Sequence, residues 1–65
     1  MSDLAALADQ LTNIGERLDE MAFERLREAV ADGATQRPRN DKQMMQARRA
    51  VEKAAHLLRS LDQAL

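Results

Sequence analysis

Residues 40–65, NDKQMMQARRAVEKAAHLLRSLDQAL, set Met44, Ala47, Val51, Ala54, Leu58, Leu61 and Leu65 in an unbroken three-four alternation. That spacing is the seam of an amphipathic helix of coiled-coil type, which needs a second apolar surface to bury itself against. The N-terminal half supplies one. Leu4, Leu7, Leu11, Ile14, Leu18 and Met21 repeat with the same period, so the chain reads as all-α, two helices folded on each other.

The boundaries follow from local chemistry. Ser2 is a fitting N-cap and Asp3 places a negative charge in the first turn, where the helix dipole favours it. Ala, Leu, Glu and Arg dominate up to Asp32. Gly33 is well placed for the left-handed conformation that ends a helix. Pro38 keeps Arg37 out of helical geometry. Asn40 or Asp41 then caps the second helix, with Gln43 in the reciprocal position of a capping box behind Asn40. The reading is a single helical-hairpin domain over 1–65, with a helix at 3–32, a loop at 33–40 and a helix at 41–65.

A loop this short makes the two helices antiparallel neighbours. Loop closure and helix pitch set Leu26 by Ala47, Leu18 by Ala54 and Ala55, Ile14 by Leu58, Leu11 by Leu61, and Leu7 by Leu65. Two residues interrupt the first helix. Gly15 lies one turn from Leu11 and Leu18, where it either admits the close approach of another backbone or allows a bend. Arg25 falls on a seam position after a four-residue shift in the apolar pattern. Its stem is expected to pack on Met21 and Ala29 while its head reaches water or a carboxylate such as Glu28.

Sixty-five residues bury little, and a core of this size seldom yields more than about 3–5 kcal/mol unaided. Cysteine is absent and His56 is the one histidine, so neither disulfides nor a thiolate metal site can staple the fold. Oligomerisation remains. Helix 2 carries a second apolar row at Ala50, Leu57 and Ala64, and helix 1 an extra flank at Ala8, Gly15, Phe23, Leu26 and Val30. An apolar arc wider than a two-helix seam is the pattern of a bundle helix. The expectation is a homodimer forming a four-helix bundle. Its contact, with itself or with another protein, draws on Phe23, Leu26, Val30, Met44, Met45, Ala50, Leu57 and Ala64. Met44 and Met45 open the second helix near the Phe23 patch, and adaptable methionines around an aromatic anchor suit an interaction surface. Which flank forms the dimer is left open by the sequence.

Charge is divided between the halves. Residues 1–32 hold eight acids against three arginines, a balance of −5, and residues 33–65 hold seven bases against three acids, a balance of +4. Attraction between the two helices accounts for this division. A basic ridge of Lys42, Arg49, Lys53 and His56, extended by Arg37 and Arg39, is the one feature that could meet nucleic-acid phosphates. The net charge of −1 and the absence of an aromatic residue on the ridge weigh against it.

Chemistry is scarce. Glu16, Glu20, Glu24 and Glu28 stand four apart, but di-metal bundles require inward glutamates with a histidine three residues on, and no Glu-x-x-His occurs. Ser2, Thr12, Thr35 and Ser60 have no histidine at a telling spacing, and no glycine-rich loop cradles phosphate. No catalytic, cofactor or metal residue is assigned, and the chain is not expected to be an enzyme. The start Met-Ser-Asp-Leu-Ala has neither a basic segment nor a continuous apolar run, so no signal peptide or membrane span is expected and the location is taken as cytoplasmic. The functional expectation is a small interaction, scaffold or regulatory module acting as a homodimer. A nucleic-acid-binding regulator is the alternative.

Overall fold

The computed structural model describes residues 3–33 and 40–65, and consists of two antiparallel helices, α1 (Asp3–Ala31) and α2 (Asp41–Ala64). The fold is therefore the all-α helical hairpin expected. The antiparallel sense is fixed by two long-range bonds: Asp19 of α1 meets Arg48, and Asp9, further towards the N-terminus, meets Arg59, further along α2.

Gly33 ends α1 as its chemistry demands. It adopts a φ of 83° and its N–H donates to the Val30 carbonyl at 3.0 Å, which satisfies one of the carbonyls a helix leaves bare. The start of α2 differs from expectation. Asn40 is the N-cap, but at φ −98° and ψ 11° its side chain makes no capping bond, so no capping box with Gln43 forms. Asp41 still supplies a carboxylate to the first turn, where it opposes the helix dipole. The expected Ser2 cap lies outside the described residues.

The hairpin seam is rotated from the one that apolar periodicity suggests. Leu7, Ile14 and Met21 remain 46–47% exposed, Leu61 is 47% exposed, Leu65 is 89% exposed and Ala47 is also exposed. In their place α1 turns Ala8, Gly15 and Ala22 inward beside Leu4, Leu11 and Leu18. From α2, Met44, Arg48, Val51, Ala55, Leu58 and Asp62 turn towards them. Ala8, Gly15 and Ala55 are buried outright. The physical reason is size. A row of small residues every seventh position lets the helices approach closely, and the larger aliphatic side chains are turned to one side.

The register is also displaced. Arg48, which the expected alignment sets near Arg25, lies over Gly15 and bonds Asp19. Leu18 shares a cleft with Met44 and Met45 rather than with Ala54 and Ala55. This slide gives Arg48 and Arg59 a carboxylate each, whereas the expected alignment sets Arg48 by Arg25 and Arg59 by Ile14. Asn40 and Asp41 consequently begin α2 beside Ala22 and Arg25, so α1 projects past the first turn of α2. Leu26 and Val30 stand on that projection, 38% and 65% exposed. Arg25 is exposed at its base.

Candidate interaction surfaces

The two broad faces of the hairpin have opposite chemistry. On one, charged side chains cross from helix to helix. The Nε of Arg48 donates to both Asp19 oxygens at 3.0 Å, and its Nη1 lies 3.6 Å from Glu52 Oε2. Further along, Arg59 Nη2 donates to Thr12 Oγ1 at 2.8 Å and to Asp9 Oδ1 at 3.2 Å. The Arg48 side chain is 29% exposed, half sunk into the seam. Its guanidinium is held above its ordinary pKa by the Asp19 hydrogen bond first, against the cost of burial, with the charges of Asp19, Glu52 and Glu16 adding to the effect. What makes room for it is Gly15. A Cβ on Gly15 would come within 2.8 Å of Arg48 Nη1 and 3.1 Å of Cζ. Gly15 thus admits a side chain, where its sequence context suggested a backbone or a bend.

The opposite face is aliphatic. On α1 the row Leu7, Ile14, Met21 precedes the inward row Ala8, Gly15, Ala22 by one residue, whereas Thr12 and Asp19 follow Ala8 and Gly15 by four, which puts the two rows on opposite sides of the seam. On α2 the corresponding rows are Ala47, Ala54, Leu61 and Ala50, Leu57, Ala64 on the apolar side, and Glu52, Arg59 on the polar side. Since Thr12 and Asp19 meet Arg59 and Arg48, the remaining rows share the other face. The rows Leu7, Ile14, Met21, then Ala47, Ala54, Leu61, and Ala50, Leu57, Ala64 are apolar at every one of these positions. Leu57 is 55% exposed.

The residues singled out from sequence are dispersed over three places. Ala50, Leu57 and Ala64 are exposed on the aliphatic face. Phe23 (61% exposed), Leu26 and Val30 lie towards the projecting end of α1, where Leu26 and Val30 line a shallow depression with Glu24, Arg27, Glu28 and Ala31. Met44 is partly buried in the hairpin, and with the exposed Met45 it lines the cleft by Leu18 and Ala22, which neither Phe23 nor Leu26 lines. Lys42, Arg49 and Lys53 are exposed on the back of α2, while Arg37 and Arg39 lie outside the described residues. His56 and the series Glu16, Glu20, Glu24, Glu28 are exposed. Sequence reasoning missed the Leu7–Ile14–Met21 row as a surface, having spent it on the seam. The signal that could have found it is the seven-residue spacing of Ala8, Gly15, Ala22 and Ala29.

Compared with protein-family models, curated proteins and solved structures, the chain has no significant match. Among the described residues no helix is long and apolar enough to cross a membrane. Fold and surface define the class as a two-helix hairpin with one ion-paired face and one aliphatic face.

Proposed function

We propose that this chain is a non-enzymatic, cytoplasmic interaction module that acts as a homodimer, scaffolding or regulating a larger protein. The observation that carries the reading is the contrast between the core and the surface. Among the described residues the buried hydrophobic core consists of Ala8 and Ala55, with no large side chain fully buried, while Leu7, Ile14, Met21, Leu57 and Leu61 are all 46–55% exposed. Folding gains little from the former, and the latter is the kind of contiguous apolar patch that marks a protein contact. Light scattering on the purified chain tests it. The expected mass is twice 7.3 kDa, and a folded monomer at the same concentration would refute the reading.

The alternative, a regulator that binds nucleic acid, is favoured by the exposure of Lys42, Arg49 and Lys53 on one helix. Against it, Arg48 and Arg59 are engaged by Asp19 and Asp9 and do not join the ridge. Phosphate contacts make binding steeply salt-dependent. A labelled RNA or duplex that shifts at low salt and is released at moderate salt would favour this alternative. No shift at low salt removes it.

A further inference from the structure

We propose that the homodimer forms through the Leu7–Ile14–Met21 and Ala54–Leu57–Leu61 face, with its two-fold axis parallel to the helices. Each α1 then lies beside the partner's α2, and both loops lie at the same end. The proposal rests on the homodimer reading above and adds to it the face and the symmetry.

The area supports a second copy as the occupant. A compact monomer of this mass exposes about 4,200 Å² by the usual scaling, whereas this hairpin exposes 5414 Å². Its 51 × 17 × 10 Å shape raises the area of any chain. Of the exposed large aliphatic residues, Leu7, Ile14, Met21, Leu57 and Leu61 lie on this one side. The roughly 800 Å² that each partner gives to a standard interface is a small part of the 5414 Å² that this hairpin exposes. The composition also fits helix-on-helix packing. Ala47, Ala50 and Ala54 precede Leu57 and Leu61 along α2, so in this pairing Ile14 and Met21 of a partner helix find small residues opposite them, while Leu7 meets Leu57 and Leu61.

Charge selects the symmetry. Two flat hairpins stacked face to face with a two-fold have two arrangements that keep all neighbouring helices antiparallel. A two-fold across the helices sets α1 on α1 and α2 on α2, with the loops at opposite ends. A two-fold along them sets α1 on the partner's α2. Within α1 seven carboxylates stand against three arginines, and within α2 five bases stand against three acids. Pairing α1 with α1 brings together two acidic helices, and pairing α2 with α2 two basic ones. The crossed pairing brings together opposite signs, as already occurs within each hairpin between Asp19 and Arg48 and between Asp9 and Arg59. The Phe23 patch and the ion-paired face are left outside this contact.

The test uses the absence of cysteine from the described chain, which allows a single spin label at Asp32→Cys, an exposed position at the loop end of α1. Pulsed dipolar spectroscopy on the full chain is expected to give an interspin distance below about 30 Å, the width of a four-helix bundle with its labels. A distance above about 50 Å, from loops at opposite ends of two overlapping hairpins, overturns the crossed pairing while leaving the homodimer reading intact. A folded monomer in light scattering overturns both. The face is tested separately. Leu57→Glu, which removes nothing from the hairpin seam, is expected to abolish the dimer, and Phe23→Glu to leave it. A Leu57→Glu protein that keeps its dimer, or a Phe23→Glu protein that loses it, places the interface elsewhere.

Discussion

Replacing Gly15 by alanine isolates the contact that sets the register of the hairpin. In a helix interior the change should stabilise by about 0.5–1 kcal/mol per chain, because alanine loses less backbone freedom on folding. Gly15 is not free to accept it. All three of the nearest atoms to the added Cβ belong to the Arg48 guanidinium, the closest at 2.8 Å. Arg48 must therefore move, and it is held by two bonds to Asp19 at 3.0 Å. The gain should be diminished or lost in the native background and recovered in full when Arg48→Ala is present. Circular-dichroism melts of the four proteins, at one protein concentration, measure the interaction between the two sites. With about 4–8 °C per kcal/mol for a domain of this size, Gly15→Ala should raise the melting temperature by several degrees only in the Arg48→Ala background. An equal rise in both backgrounds would show that Arg48 does not lie over Gly15. A fall in both would show that another backbone does.

Three further substitutions test other parts of the fold. Leu58→Ala should cost about 2 kcal/mol, the lower end of the range for leucine truncation, because Leu58 is only partly buried in the hairpin; a melting curve superimposable on that of the parent chain would remove Leu58 from the seam. Asn40→Ala should cost well under the roughly 1 kcal/mol typical of a lost cap, since its side chain makes no capping bond; a loss of the full amount in thermal melts would show that the bond forms. His56→Ala, at an exposed position, should change stability by less than about 0.5 kcal/mol, and a larger shift in a denaturant titration would mean that the imidazole is packed.

The two helices were legible from the sequence because their signals agree: a three-four period, good helix formers throughout, and a glycine at the end of α1. The seam was not, because α1 carries two stripes that share Leu4, Leu11 and Leu18. One adds Leu7, Ile14 and Met21, the other Ala8, Gly15 and Ala22. Hydropathy alone favours the first. Packing favours the second, since small residues permit close approach and leave the larger ones for a further surface. Arg48 hid the register for a related reason. An arginine reads as a solvent residue, yet here its guanidinium crosses the seam over a glycine to reach Asp19. Neither the glycine nor the arginine is informative alone, and their sequence separation conceals the pair. The Phe23 patch, argued from composition, lacks the methionines expected to complete it, because the displaced register sets Met44 and Met45 beside Leu18 and Ala22.

The claim on which the account depends is that the hairpin completes its core with a second copy of itself. If folding and association are one process, stability must depend on protein concentration. A hundredfold increase contributes about 2.7 kcal/mol per dimer, which for two chains of 65 residues corresponds to a rise of about 10 °C in melting temperature. Circular-dichroism melts over such a range measure this directly. A rise of that order is predicted, and a melting temperature independent of concentration, with the protein folded at the lowest, would contradict it.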